Sequence, residues 1–453
     1  MNPHDYAKQH HEVFVQELAE LLRIPSISTL PERAADMERA ARWLAEHMKA
    51  LGLEAQVYPT GGHPVVFGQW LAAGDAAPTI LVYGHYDVQP PDPLSEWESP
   101  PFEPAVRDGN LYARGASDDK GQFFAHLKAA QSILQVMGKL PLNLKLIIEG
   151  EEEKGSPNLR PFIESHKNLL AADVVVISDT HSRSLEQPTL VYALRGMVYM
   201  EIEVRGPRRD LHSGTYGGVV HNPAQVLCEI VAQLHDANGR VTVPGFYDAV
   251  RPLDEEERQE LVRLPYTEDD LRRETGVPAG WGEAGYTLTE RRGARPTLEV
   301  NGLVSGWTGE GAKTVLPAKA LAKVSCRLVA DQDPQTIYAL VRDFVARLTP
   351  PTVTSEVRLL HTGNPAHTDR HTPAMQAAIA AYEEGWGARP VFAREGGTIP
   401  VVSHFQRLLG APVVLMGFGL PDDAPHAPNE KLTLECFRRG IATAISFYQK
   451  VAG

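Results

Sequence analysis

Short apolar runs in this chain end, one after another, in a histidine or a carboxylate. TILVYG (79–84) runs into His85-Tyr86-Asp87, LKLIIEG (144–150) into Glu151-Glu152-Glu153, and VVVIS (174–178) into Asp179. PVVLMGFG (412–419) is followed a few residues later by His426. Runs this apolar suit strands covered on both faces, and helical patterns at 5–22, 31–51 and 121–137 supply the covering layers. The combination predicts an α/β domain with a mostly parallel sheet. It also predicts where chemistry belongs, because open α/β sheets bind ligands just beyond the carboxyl ends of their strands.

A chain of 453 residues is too long for one typical core. The character changes near residue 197. MEIEV (200–204) alternates apolar and acidic residues, strand patterns follow at 298–303 and 320–329, and helical patterns occupy 222–234 and 334–348. The α/β character returns near 372, with a helix at 375–386, the strand 412–417 and a last helix at 432–451. A smaller α+β domain, 198–363, is therefore expected as an insertion between 1–197 and 364–453 of the first domain.

The formal net charge of -13 argues against nucleic acid as a partner, since phosphate binding needs a basic face. No apolar run is long enough to span a membrane. The first residues lack a signal-peptide pattern, and the cysteines are only Cys228, Cys326 and Cys436, read as buried small hydrophobes. A cytoplasmic enzyme is the expectation.

Each strand-end group has a bland alternative: an Asp caps a turn, three glutamates make a solvated surface, a lone His is structural. Together, at one rim of one sheet and joined by Asp118-Asp119 ahead of the helix at 121–137, they form a donor set for two divalent cations. A carboxylate with two oxygens can bridge such a pair. Two ions ~3.5–4 Å apart can share a hydroxide and polarise a carbonyl, and a further carboxylate must take the proton. His85 and Asp87 stand two apart on an extended chain and face the same side, so Asp87 can hydrogen-bond the imidazole and fix its tautomer.

Four segments, GHYDVQP (84–90), RGASDDKG (114–121), EGEEEKGS (149–156) and PDDAPHAPNEK (421–431), resemble the dinuclear metallopeptidases related to carnosinase. That family also includes carboxypeptidase G, acetylornithine deacetylase and succinyl-diaminopimelate desuccinylase. The resemblance implies Asp118 as the bridging ligand, His85 and Asp179 completing one metal site, and Glu153 and His426 the other. It implies Glu152 as general base and a cis Asp118–Asp119 peptide. The expected metals are two per chain, zinc first, with manganese or cobalt as alternatives. The inserted domain would act as a lid and make a homodimer, sending His212 of DLHSGTYGG (210–218) across to the other subunit as an oxyanion donor. Thr314, Arg327 and Thr398 match substrate contacts, with Arg327 suited to a substrate carboxylate and Thr398 standing where carnosinases have serine.

An Asp at position 179 and a long lid resemble dipeptidases acting on free amino termini, so dipeptide hydrolysis is the expected activity. An N-acyl-amino-acid deacylase or carboxypeptidase of the same family is the alternative, and a non-catalytic binding protein on the same fold is the alternative from another class. GWTGEGAKT (306–314) imitates a phosphate-binding loop, but Ala312 separates the glycine from Lys313, so it is rejected. The acidic run 254–260 and the N-terminal His4, His10 and His11 are expected to be solvated.

Overall fold

A computed structural model describes residues 1–397 and 399–453. The chain divides into two compact units: Met1–Tyr192 with Thr368–Phe392 and Val401–Gly453, and Ala193–His367 with Ala393–Pro400. The second unit thus begins before residue 198, ends after 363, and takes in a short later segment. That segment is tied by Arg195 N donating to Glu395 O at 3.1 Å and by Arg394 Nε donating to Glu257 Oε1 at 2.7 Å.

The first unit is built on a sheet ordered Glu54–Tyr58, Val65–Trp70, Asn143–Glu149, Thr79–His85, Val174–Ile177, Val413–Met416, Thr189–Leu194. Neighbours among the four strands from Asn143–Glu149 to Val413–Met416 run parallel, and the flanking pairs are antiparallel. The result is a mixed α/β fold with a largely parallel centre. Asn143–Glu149, Val174–Ile177 and Val413–Met416 are buried along their whole length; the last two are wholly apolar, and the first also carries Lys145, whose Nζ donates to Ala171 O at 2.7 Å. His85 pairs with Glu149 and Tyr83 with Ile177, so these strands end nearly flush and their following loops share one rim. Helix Lys120–Met137 packs across this sheet and against the final helix Leu434–Ala452.

The second unit holds a four-stranded antiparallel sheet ordered Thr297–Ser305, Lys319–Leu328, Gly196–Arg205, Thr354–Gly363. Val198, Met200, Ile202 and Val204 alternate onto one face. There they form a core with Val226, Ile230, Val341 and Val345 of helices Pro223–Ala232 and Pro334–Leu348.

Several local expectations are corrected. The helix at 5–22 is two helices, Pro3–Gln9 and His11–Leu22, separated at His10. His10 is only partly exposed: its ring stacks on Tyr6 at 3.9 Å and its Nδ1 lies 2.9 Å from Tyr6 O. His4 and His11 are likewise only partly exposed. The last helix starts at Leu434 because Lys431–Thr433 pairs with strand Asn110–Tyr112. In the acidic run, Asp254 caps helix Glu255–Val262 and Glu257 turns inward to meet Arg394. Cys228 is exposed, whereas Cys326 and Cys436 are buried. Residues 306–314 join strands Thr297–Ser305 and Val315–Leu316 with no helix following, which agrees with rejecting a phosphate loop. Among the described residues, no helix is long and apolar enough to cross a membrane.

Candidate metal centre

The sheet rim of the first unit collects the predicted ligands. His85 is the last residue of its strand, Asp179 follows Val174–Ile177, and Glu152 and Glu153 lie in a short 3-10 turn after Asn143–Glu149. Asp118 sits in the loop before helix Lys120–Met137, and its peptide to Asp119 is cis. His426, at φ 62°, lies on the loop after Val413–Met416. Gly84 lets the Asp118 loop come close: a Cβ there would lie 2.5 Å from Phe123 Cβ and 2.8 Å from Asp119 Oδ2.

The ligand atoms form two groups that share Asp118. His85 Nε2 is 3.0 Å from Asp118 Oδ1 and 3.9 Å from Asp179 Oδ2. His426 Nε2 is 2.9 Å from Asp118 Oδ2 and 3.3 Å from Glu153 Oε2. Each group offers three donor atoms within 4.8 Å of one another. Each oxygen of Asp118 therefore faces a different imidazole, the disposition a bridging carboxylate needs.

The side chains fit cations. Nδ1 of His85 lies 3.0 Å from Asp87 O, which fixes the proton there and turns Nε2 outward as an acceptor. Nε2 is buried and, despite its closeness to Asp118, makes no well-angled hydrogen bond. A buried nitrogen lone pair facing carboxylates is an orphan that a divalent cation satisfies.

Charge argues the same way. Burial pushes the carboxyl of Asp179 up to about 7, and the charge of Asp118 adds to the shift. Glu152 is pushed up to about 8, first by loss of water, then against the pull of His85 by Asp179, Asp118 and Glu153. Burial would lift Asp118 as well, but the close imidazoles of His426 and His85 hold it below the usual carboxylate range. His426 is raised to about 10 by Asp118 and Glu153. Two imidazoles do not neutralise this many carboxyls, and cations placed among them would.

Asp87 does more than hold the His85 ring. Its carbonyl takes the His85 proton while its carboxylate stands 3.4 Å from Nδ1. The carboxylate accepts from Ser28 Oγ at 2.6 Å, Glu152 N at 3.2 Å and Glu153 N at 3.1 Å, so it anchors the turn that carries Glu152 and Glu153. Gln89 Nε2 donates to Glu153 Oε2 at 2.7 Å, a contact not anticipated from sequence.

In the second unit, His212 pairs with Val315 in a two-stranded ribbon, and Ser213 N donates to Thr314 O at 3.1 Å. His212 and Thr314 are therefore neighbours and both exposed. Arg327 lies on strand Lys319–Leu328, opposite Thr297 and Met197. Thr398 lies outside the described residues.

Known proteins match nearly the whole chain. The Cys-Gly metallodipeptidase dug1 of Schizosaccharomyces pombe is 33% identical, over 97% of this chain and 95% of its own. The Beta-Ala-His dipeptidase of Homo sapiens is 30% identical, over 99% and 92%. A solved M20 family metallo-carboxypeptidase, Sso-CP2 from Sulfolobus solfataricus, is 33% identical with a TM-score of 0.81, covering 97% of this chain and 99% of that one. These matches bear out the resemblance to carnosinase-type metallopeptidases carried by the motifs. Residues 81–450, which span every one of the rim ligands, match a single family description, and on that match the chain belongs to peptidase family M20/M25/M40.

Proposed function

We propose that this protein is a dinuclear metallopeptidase that hydrolyses free dipeptides. The observation that carries the proposal is the pair of three-residue donor groups joined through Asp118, with Glu152 beside them. His85, Asp118 and Asp179 hold one cation, and Asp118, Glu153 and His426 the other. Bound there, two divalent cations supply Lewis-acid polarisation of the scissile carbonyl and acidify water. Glu152 accepts the proton of the attacking water on its carboxylate and returns it to the departing amide nitrogen. Asp87 keeps the Glu152–Glu153 turn in place. The mixed nitrogen and oxygen donors suit zinc first, with manganese and cobalt as alternatives.

The substrate class rests on the dipeptidases among the relatives and on Asp179, which resembles family members acting on free amino termini. Arg327 offers a bidentate partner for the substrate carboxylate, and Thr314 and Thr398 are assigned to substrate contact. We assign the inserted unit, expected as 198–363, to the lid and to a homodimer in which His212 of the partner subunit donates to the oxyanion. Leu303, Val304 and Trp307, exposed on and beyond the outer strand of its sheet, supply apolar surface for that contact. Three unpaired thiols suit a reducing cytoplasm.

The test is a hydrolysis screen of purified protein with zinc or manganese, using free dipeptides, N-acetyl amino acids and N-blocked dipeptides. Cleavage of free dipeptides alone is expected. Cleavage of the N-blocked dipeptides would favour the carboxypeptidase reading, which the likeness to Sso-CP2 supports. Cleavage of the acetyl amino acids alone would make the protein a deacylase.

A further inference from the structure

Glu430 is fully buried and belongs to none of the donor groups. Its two oxygens accept four hydrogen bonds, all from the loop that carries Asp118. Oε2 takes Arg114 Nη1 and Gly115 N, each at 2.8 Å. Oε1 takes Ser117 N at 3.0 Å and Asp118 N at 3.1 Å. Two further buried side chains brace the same pair of segments. Asp423 Oδ2 accepts from Ser117 Oγ at 2.8 Å and from Leu420 N at 2.7 Å. Gln122 donates to Ser117 O at 3.0 Å and accepts from Phe418 N at 2.7 Å and Gly419 N at 3.1 Å. The loop bearing Asp118 and the loop bearing His426 are thereby laced into one body.

We infer that Glu430 is the positioning residue of the shared ligand: its carboxylate sets the place of Asp118 and so governs both cation positions at once. All four partners are donors, so only a group with two acceptor oxygens satisfies them. Glutamine has nearly the same shape but turns an NH2 toward one of the two donor pairs, and leaves those N–H groups buried without an acceptor. The backbone of Asp118 would shift away, and with it the two oxygens that face His85 and His426. A terminal ligand acts on one cation position only; a residue that sets the bridge acts on both.

The inference rests on the dinuclear reading above. The experiment titrates chelator-stripped full-length protein with Mn2+ and Zn2+ by calorimetry. Wild type, Glu430→Gln, Glu430→Asp, His426→Ala and Lys128→Met are compared, with kcat and KM for a dipeptide measured in parallel. Lys128 is a buried lysine on helix Lys120–Met137 whose ammonium meets Glu17 at 2.6 Å, and its replacement controls for a simple loss of stability. In Glu430→Gln both binding steps should weaken about tenfold or more, the scale of outer partners of metal ligands. In that variant kcat should fall while KM stays within about twofold. Glu430→Asp, which keeps two acceptor oxygens, should recover part of the loss and stands in if the Gln variant does not fold. His426→Ala should lose one step and keep the other, and Lys128→Met should keep both. Both steps unchanged in the Glu430 variants, or only one weakened, overturns the assignment. Wild-type protein that takes up no cation overturns the dinuclear reading instead.

Discussion

Asp87 directs its carboxylate at Ser28 and the main chain of Glu152 and Glu153 while its carbonyl holds the His85 proton. Replacing it by alanine should therefore leave the His85 tautomer intact and loosen the turn of the general base. We expect Asp87→Ala to lower kcat by about 10–100-fold and to weaken the cation held by Glu153 more than the one held by His85, as read by metal analysis after dialysis. Glu152→Gln should lower kcat by about 10²–10⁴, the usual share of a general base, with close to two metals retained per chain. Metal loss in that variant would make Glu152 a ligand. The two histidines differ in shelter, with the side chain of His85 0% exposed and that of His426 56%. A chelator should therefore remove metal in two phases, pausing near one ion per chain, and His426→Ala should begin at that pause. Four of the five ligands were legible in sequence because they follow apolar runs; Asp118 was legible through the resemblance carried by RGASDDKG. Glu430 stood within a quoted motif and still carried no signal, because its partners lie some three hundred positions away and three of them are main-chain N–H groups.

The strands read from sequence are of two kinds: largely apolar runs buried on both faces in the first unit, and runs such as MEIEV (200–204) in the second, whose alternation marks one buried face. Glu54–Tyr58 and Thr354–Gly363 escaped because each is an edge strand with a largely exposed, polar sequence. Thr189–Leu194 escaped for another reason: it is wholly buried, but its run continues into the next strand with only Arg195 between. The split at His10 was invisible because the apolar spacing carries on across it. Where a strand meets the metal loop, packing rather than propensity governs. Gly84→Ala would place a methyl against Phe123 and Asp119. It should destabilise the protein by about 1–3 kcal/mol, the scale of overpacking, as a lowered thermal midpoint, and should reduce activity by displacing Asp119 and its neighbour Asp118.

For the whole molecule, two histidines make part of the stability depend on pH. His126, buried between Ser178 Oγ at 2.7 Å and the Tyr448 hydroxyl at 3.1 Å, is pushed down to about 3 by burial. His47 is also pushed down to about 3, by burial and by Lys128. Both stay neutral in the fold, whereas in an unfolded chain they take a proton near 6.5. The stability they contribute is complete above that pH and is lost progressively as pH falls toward 3. Their share is read by comparing urea midpoints of wild type and a histidine variant at pH 7.5 and pH 5. His126→Gln should be less stable than wild type at pH 7.5 and should lose less on acidification. An equal loss would assign the acid sensitivity elsewhere.

Strand Val413–Met416 lies between Val174–Ile177 and Thr189–Leu194, although more than two hundred residues separate it from them in the chain. That placement orders events during synthesis. A ribosome delivers His85, Asp118 and Asp179 first, then the entire inserted unit, and only after it the strand, His426 and Glu430. Until those residues emerge, the sheet has a gap between Val174–Ile177 and Thr189–Leu194 and the loop of Asp118 lacks its clasp. The nascent chain can therefore gather at most one set of ligands, and peptide-cutting activity is withheld from any product that stops short of residue 430.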